Sequence, residues 1–204
     1  MNRRVLAAGF AMCVMALTTF AAQPVHAAQC DGATTPCVLG DTGPGGGIVF
    51  YVAPARQSWG QYLEAAPKGW SGKSRDPKKS WCTKGDSNVD KVLAKSTSIS
   101  TGEGLGAGRA NSKAIVAACG KQTAAGLAMG YRGNGKSDWY LPSIKELQAL
   151  ISGQTATSGL IGDFYWSSSQ HEFPTSAQGQ DAQTGELGFA LKPMKAVVRP
   201  IRAF

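Results

Sequence analysis

The sequence predicts an α+β domain, mainly antiparallel sheet with two or three helices and two disulfides. Three observations predict it. β-branched and aromatic runs sit toward both ends of the chain and helical spacing only in its middle, without the βα alternation of a parallel sheet. Gly 26 and Pro 10 in 204 residues demand many turns and short elements. Setting a leader aside leaves four cysteines, an even number that suits an exported, cross-linked chain. With 43% hydrophobic and 17% charged residues, the chain is neither a disordered tail nor a coiled coil.

Residues 1–27 read as a signal peptide. Arg3 and Arg4 give the positive start, Val5 to Phe20 the uncharged apolar run, and Val25-His26-Ala27 the small-x-small cleavage pattern. Cys30 follows Gln29, where a lipid anchor would want a small residue. The most apolar later stretch, Ala114 to Tyr131, is broken by Lys121, so no membrane insertion is expected after the leader is removed. The expected location is periplasmic or secreted. The remaining chain has 19 Lys and Arg against 13 Asp and Glu, a net charge of +6, with His171 its only histidine. Its cysteines are Cys30, Cys37, Cys82 and Cys119. Three pairings are possible; proximity favours Cys30–Cys37, and elimination then leaves Cys82–Cys119. No Cys-x-x-Cys or Cys/His spacing points to a metal. A chain of this size buries about 70% of its unfolded surface, so the disulfides reinforce a core and do not replace one.

After a short Cys-containing segment (28–38), Ile48 to Ala53 reads as a buried strand, with Gln61 to Ala66 its partner and Trp59-Gly60 near the turn. Residues 68–84 read as a basic loop: Lys68, Lys73, Arg75, Lys78, Lys79 and Lys84 face only Asp76. Residues 96–109 are rich in Ser, Thr and Gly and read as irregular. Asn111 is the expected cap of a helix from Ser112, with Ile115, Val116 and Cys119 on its apolar face and Gly120 at its end. A second short helix is expected over Thr123 to Met129. A third follows Pro142, with Ser143 and Glu146 as capping box and Ile144, Leu147, Leu150 and Ile151 as buried stripe. Strands are expected over Phe164 to Ser169, across a Gln183-Thr-Gly185 hairpin into Glu186 to Leu191, and from Ala196 to Ala203.

Two glycine-rich motifs invite a nucleotide reading, and neither has its context. Gly130 to Ser137 matches G-x-x-x-x-G-K-S, but a helical segment precedes it and Pro142 blocks immediate helix entry after it. Gly43-Pro-Gly-Gly-Gly47 leads into a strand, so its glycines are read as permitting a tight turn and a close backbone approach. Nothing around His171 resembles a nucleophile elbow. Glu64, Asp138, Glu146 and Asp163 are the carboxylates from which a glycan hydrolase would be assembled, Glu146 being already explained by its cap. The basic loop is the feature that points to a ligand. Trp70 and Trp81 flank Lys73, Arg75, Lys78 and Lys79, and aromatic faces beside cations suit sugar rings carrying sulfate, phosphate or carboxylate. Export argues against nucleic acid as the partner of these charges. No oxygen-ligand motif for calcium appears.

Five blocks carry a resemblance. They are Gly40-Asp-Thr-Gly-Pro-Gly-Gly-Gly-Ile-Val-Phe-Tyr-Val52, Tyr62-Leu-Glu-Ala-Ala-Pro67, Asp138-Trp-Tyr-Leu-Pro-Ser-Ile-Lys-Glu-Leu147, Tyr165-Trp-Ser-Ser-Ser169 and Val198-Arg-Pro-Ile-Arg-Ala-Phe204. In this order they resemble the Lcl C-terminal domain family, named for the tail of a Legionella collagen-like adhesin. The resemblance runs over 39–204 and implies a C-type-lectin-like fold. It implies attachment to anionic glycans; no cofactor is expected. The chain lacks that adhesin's collagen-like repeats, and its basic segment lies outside the family blocks. By analogy with lectin-like folds, ligand is expected at Ser167 to Phe173 and Gln178 to Gln183, which adds Ser168, Gln170, His171 and Phe173 to the candidates. Trp139 and Trp166 are expected in the core, and Arg199 and Arg202 in ion pairs with Asp41 or Asp138. The function expected is a non-enzymatic, adhesion-type binding module of the bacterial envelope or extracellular space. The alternatives are a cell-wall glycan hydrolase using Glu64 or Asp138, and a structural or protein-partner domain.

Overall fold

The computed structural model describes residues 29–83, 88, 90–91, 96, 98–153 and 159–204. The expected leader and Lys84 lie outside the described residues. The strands are β1 (Ile48–Gln57), β2 (Gly60–Ala65), β3 (Lys78–Ser80), β4 (Phe164–Gln170), β5 (Ser176–Asp181), β6 (Leu187–Leu191), β7 (Lys195–Val197) and β8 (Ile201–Ala203). Between β3 and β4 lie α1 (Gly108–Cys119), α2 (Ala124–Gly130), a 3-10 turn at Gly133–Gly135 and α3 (Ile144–Ser152). The molecule is α+β, as expected, and no described helix is long and apolar enough to cross a membrane.

Two sheets share the chain. β1, β2 and β8 form an antiparallel three-stranded sheet, and the other has the order β3-β7-β4-β5-β6. The larger sheet is antiparallel except where Tyr165 of β4 meets Val197 of β7. The single terminal strand expected over Ala196 to Ala203 is two strands, one in each sheet. Pro200 separates them: it has no N–H for a ladder, while its carbonyl accepts the Ala66 N–H at 2.9 Å. β3 was also unforeseen, because Lys-Lys-Ser carries little strand propensity; pairing with β7 imposes the extended form.

α3 starts as its sequence dictates. Ser143 accepts from the Glu146 amide, and Glu146 accepts from the Ser143 amide at 2.7 Å. α1 departs from expectation. It begins at Gly108, four residues early, so Asn111 lies within it and caps nothing. Instead the buried Asn111 amide exchanges two hydrogen bonds with the Gly102 backbone, at 2.8 and 2.6 Å, and reaches Ser168 Oγ at 3.2 Å. A capping-type side chain has been spent on tying down the irregular segment before the helix.

One core packs α1 and α2 against Trp81, Trp166 and Val198; a second packs α3 against Leu63, Tyr165 and Ile201. Both disulfides join the favoured pairs, Cys30–Cys37 and Cys82–Cys119. The first sits over Val49 and Tyr62, and Tyr62 stacks on Phe204 at 5.3 Å. The second fastens the residues after β3 to the end of α1.

Candidate functional site

The glycine-rich loop binds an anion, and the anion is the protein's own Glu64. Gly45 N–H reaches both carboxylate oxygens at 3.0 and 3.1 Å, and Gly47 N–H reaches Oε2 at 3.0 Å. A Cβ at Gly47 would lie 2.4 Å from the Ala65 carbonyl oxygen, so only glycine permits this approach. Arg202 completes the shell, donating to Glu64 from Nη1 at 2.8 Å and to Asp138 from Nε at 2.5 Å. Glu64 is 0% exposed. Burial pushes its carboxyl up from the ordinary value, and Arg202 and the two glycine amides offset part of that rise. Arg199 makes a second buried pair, with Asp76 at 2.6 Å, and donates to the Ala66 and Gly159 carbonyls. So Arg202 pairs with Asp138 as expected, but Arg199 takes Asp76, and Asp76 is therefore not the counter-charge of the basic segment. Asp41 instead accepts the Val38 N–H.

Glu64 and Asp138, the carboxylates of the hydrolase alternative, share one guanidinium. Every oxygen of Glu64 is engaged and its side chain is sealed from solvent. The pair is arranged as a brace.

The open, cation-lined site lies on the other side of Tyr131. A cleft of about 350 Å³ is lined by Trp70, Ser71, Lys79, Lys121, Gln122 and Tyr131, together with Gly126, Leu127 and Gly130 of α2. Its walls come from three segments. Pro67 to Gly72 carries the Trp70 turn, β3 carries Lys79, and the stretch from the α1–α2 link through α2 carries Lys121, Gln122 and Tyr131. The Cys82–Cys119 disulfide fixes the last two segments, since Cys82 closely follows β3 and Cys119 closely precedes Lys121. Lys79 Nζ donates across the gap to Gln122 Oε1 at 3.3 Å. Trp70 meets Tyr131 edge-on at 5.3 Å, and Tyr131 meets Trp139 at 4.9 Å, so one aromatic row joins cleft and brace. Ser71 Oγ is buried without a hydrogen-bond partner among the described residues. The Trp70 indole N–H is also buried and outside hydrogen-bond geometry, though it faces Asp76 and, after Arg199, helps keep that carboxyl ionised against burial. No acidic side chain is among the lining residues described.

Of the candidates from the sequence, the cleft gathers Trp70 and Lys79 and leaves Lys73 and Arg75 exposed on the loop beside it. Lys78 points to the opposite face of β3 and pairs with Asp163 at 2.7 Å. Trp81 is a core residue and cannot touch ligand: its indole donates to the Ser167 carbonyl at 2.9 Å, and Lys192 Nζ lies 5.0 Å over its ring. Ser168 is likewise buried, bonded to Asn111 and, through its amide, to the Pro142 carbonyl. Gln170 is spent on the Ile99 amide at 2.8 Å and Lys192 Nζ at 2.7 Å. His171 and Phe173 are remote from the cleft and cluster with Phe189. Sequence reasoning missed Lys121, Gln122 and Tyr131. The signal available was the link Cys119-Gly-Lys-Gln122, whose disulfide ties it beside the basic segment.

Two other depressions are broader but less suited to an anion. One, of about 480 Å³ along α3, offers Lys145 and no aromatic ring. Another, of about 560 Å³, is lined by Glu103 and Glu172. Among the described residues no cluster of His, Cys, Asp or Glu is arranged to hold a metal ion. Trp139 and Trp166 are core residues, as expected. No family model and no curated protein matches the chain.

Proposed function

We propose that the chain is an exported, non-enzymatic binding module of the Lcl C-terminal, C-type-lectin-like kind, acting in the periplasm or outside the cell. Its cleft takes an anionic glycan. The observation that carries this reading is the cleft itself: two lysines, two aromatic rings and an unpartnered buried hydroxyl, with no acidic lining. The rings offer surfaces for the C–H faces of a sugar. Lys79 and Lys121 supply charge for sulfate or carboxylate, and Gln122 supplies an orienting hydrogen bond. The exposed Lys73 and Arg75 raise the rate of encounter with a polyanion, an effect that salt weakens. The two disulfides support the oxidising compartment. The five sequence blocks and the closure of β2 on the last strand, β8, support the fold assignment.

The test is a glycan array probed with residues 28–204 at near-physiological salt, beside an unrelated protein of equal charge. Binding to a defined sulfated or uronic-acid set, lost in Lys79→Glu and Lys121→Glu but kept in Lys78→Glu, is the expected result. Binding no better than the control overturns the reading.

A further inference from the structure

The outer strand of the larger sheet is β6, and among the described residues no strand pairs with its free side. Its register with β5 runs without a bulge from Leu187↔Gln180 to Leu191↔Ser176. Asp181 N–H donates to the Glu186 carbonyl and Lys192 N–H to that of Thr175. The alternation of an antiparallel ladder then spends the amides of Gly188 and Ala190 on β5 and turns those of Leu187, Phe189 and Leu191 outward. The side chains of these three share one face and stay 54%, 53% and 36% exposed. His171 stacks on Phe189 at 4.0 Å, Phe173 beside it is 52% exposed, and Met194 at the same edge is 55% exposed. Sheet edges are ordinarily blunted by lysine, proline or a bulge. Between 187 and 191 this one has none of them.

We propose that this edge pairs with itself, β6 of one copy lying antiparallel to β6 of a second across a twofold axis at Phe189. The sequence Leu187-Gly-Phe-Ala-Leu191 reads almost the same in both directions. In that register Phe189 meets Phe189 and each leucine meets the opposite leucine of the other copy. The outward amides of all three residues and the carbonyls of Leu187 and Phe189 then face their counterparts, while the Leu191 carbonyl, which already accepts the Met194 N–H at 2.9 Å, meets the opposite Leu187 amide with its second lone pair. Five exposed apolar side chains lie on or beside this strand, and pairing covers the backbone edge together with the flanks of Leu187, Phe189 and Leu191 that meet across it, a contact smaller than the roughly 800 Å² per partner of a standard interface and suited to reversible association. Charge does not oppose the contact. β3, with Lys78 and Lys79, forms the far edge of the same sheet, and Leu187 to Leu191 carries no charge. The pairing rests on the edge geometry alone and is independent of what the cleft binds. It places two clefts at opposite ends of one continuous sheet, a bivalent arrangement.

Sedimentation equilibrium of residues 28–204 from micromolar to sub-millimolar concentration tests this, together with hydrogen exchange at the β6 amides. The expected result is a reversible doubling of mass, with the Leu187 and Phe189 amides protected as the dimer forms. Phe189→Lys abolishes the doubling. So does Leu187→Pro, which removes an outward N–H and leaves the β5 ladder intact; both disulfides and the unfolding midpoint are retained. A chain that stays monomeric throughout overturns the proposal. So does a dimer unaffected by both folded variants, or a monomer whose β6 amides are protected by some other segment.

Discussion

At the Arg202 brace, one guanidinium joins two carboxylates, of which Glu64 is also held by two glycine amides and Asp138 by Arg109 at 3.3 Å. Across the Tyr131 ring, Lys79 and Lys121 line an open cleft with no acidic side chain among its described lining residues. Both regions contain cations, tryptophan and a glycine-rich turn. What differs is whether each charge has found its partner inside the protein. A buried ion pair adds little net stability, because desolvation cancels most of the attraction, but breaking one leaves an uncompensated charge. The brace therefore fixes how β2, β8 and the 43–47 loop meet, while the cleft lysines have no acidic partner among the described lining residues.

The largest effect belongs to the brace. Arg202→Met leaves Glu64 buried without its counter-ion and costs about 3–5 kcal/mol at neutral pH, read from urea unfolding. The sign of its pH dependence follows from the raised Glu64 carboxyl. The cost is full above the folded-state pKa and is relieved as pH falls through it, because the neutral acid needs no partner. A deficit that grew in acid would break the account of the brace.

Next comes the disulfide that positions the cleft. Replacing Cys82 and Cys119 by alanine removes a cross-link over 37 residues and costs about 2–4 kcal/mol. It also weakens glycan binding by freeing the two lysine-bearing walls. Equal destabilisation with unchanged affinity would show that the walls are held by packing alone.

Lys79→Glu sharpens the comparison, since it lowers affinity by roughly tenfold, about 1.4 kcal/mol, with the unfolding midpoint almost unmoved. Its neighbour is the control: Lys78→Glu breaks only the half-exposed contact with Asp163, costs under about 1 kcal/mol and leaves affinity unchanged. The smallest effect lies at the Asp181 turn, where the amides of Thr184 and Gln183 hold an exposed carboxyl below its usual range. Its contribution is present above the unfolded carboxyl value and is lost as pH falls through the folded one. Asp181→Asn therefore flattens the acid limb of the stability profile slightly.

Much of this was legible in the sequence because it was local. The Ser143–Glu146 box, the β1–β2 hairpin and the helix end at Gly120 are each written within a few residues. The disulfides were legible by counting. Tertiary demands overrode local signals elsewhere. Asn111 looked like a cap and became a tether for Gly102, and Lys-Lys-Ser became a strand only because β7 lies beside it. Trp81 looked like a ligand surface because composition cannot tell which side of a strand end faces the core. Half of the cleft was invisible for the same reason: Lys121 and Tyr131 are distant in sequence from Lys79, and only folding brings them together.

The most direct measurement is an NMR titration of the indole N–H signals with a size-defined sulfated oligosaccharide. The account predicts that the Trp70 signal moves saturably and that those of the core residues Trp81, Trp139 and Trp166 stay nearly fixed. The Lys79→Glu protein should lose the Trp70 response. A titration in which Trp70 stays still while binding is otherwise detected would contradict the cleft as the site.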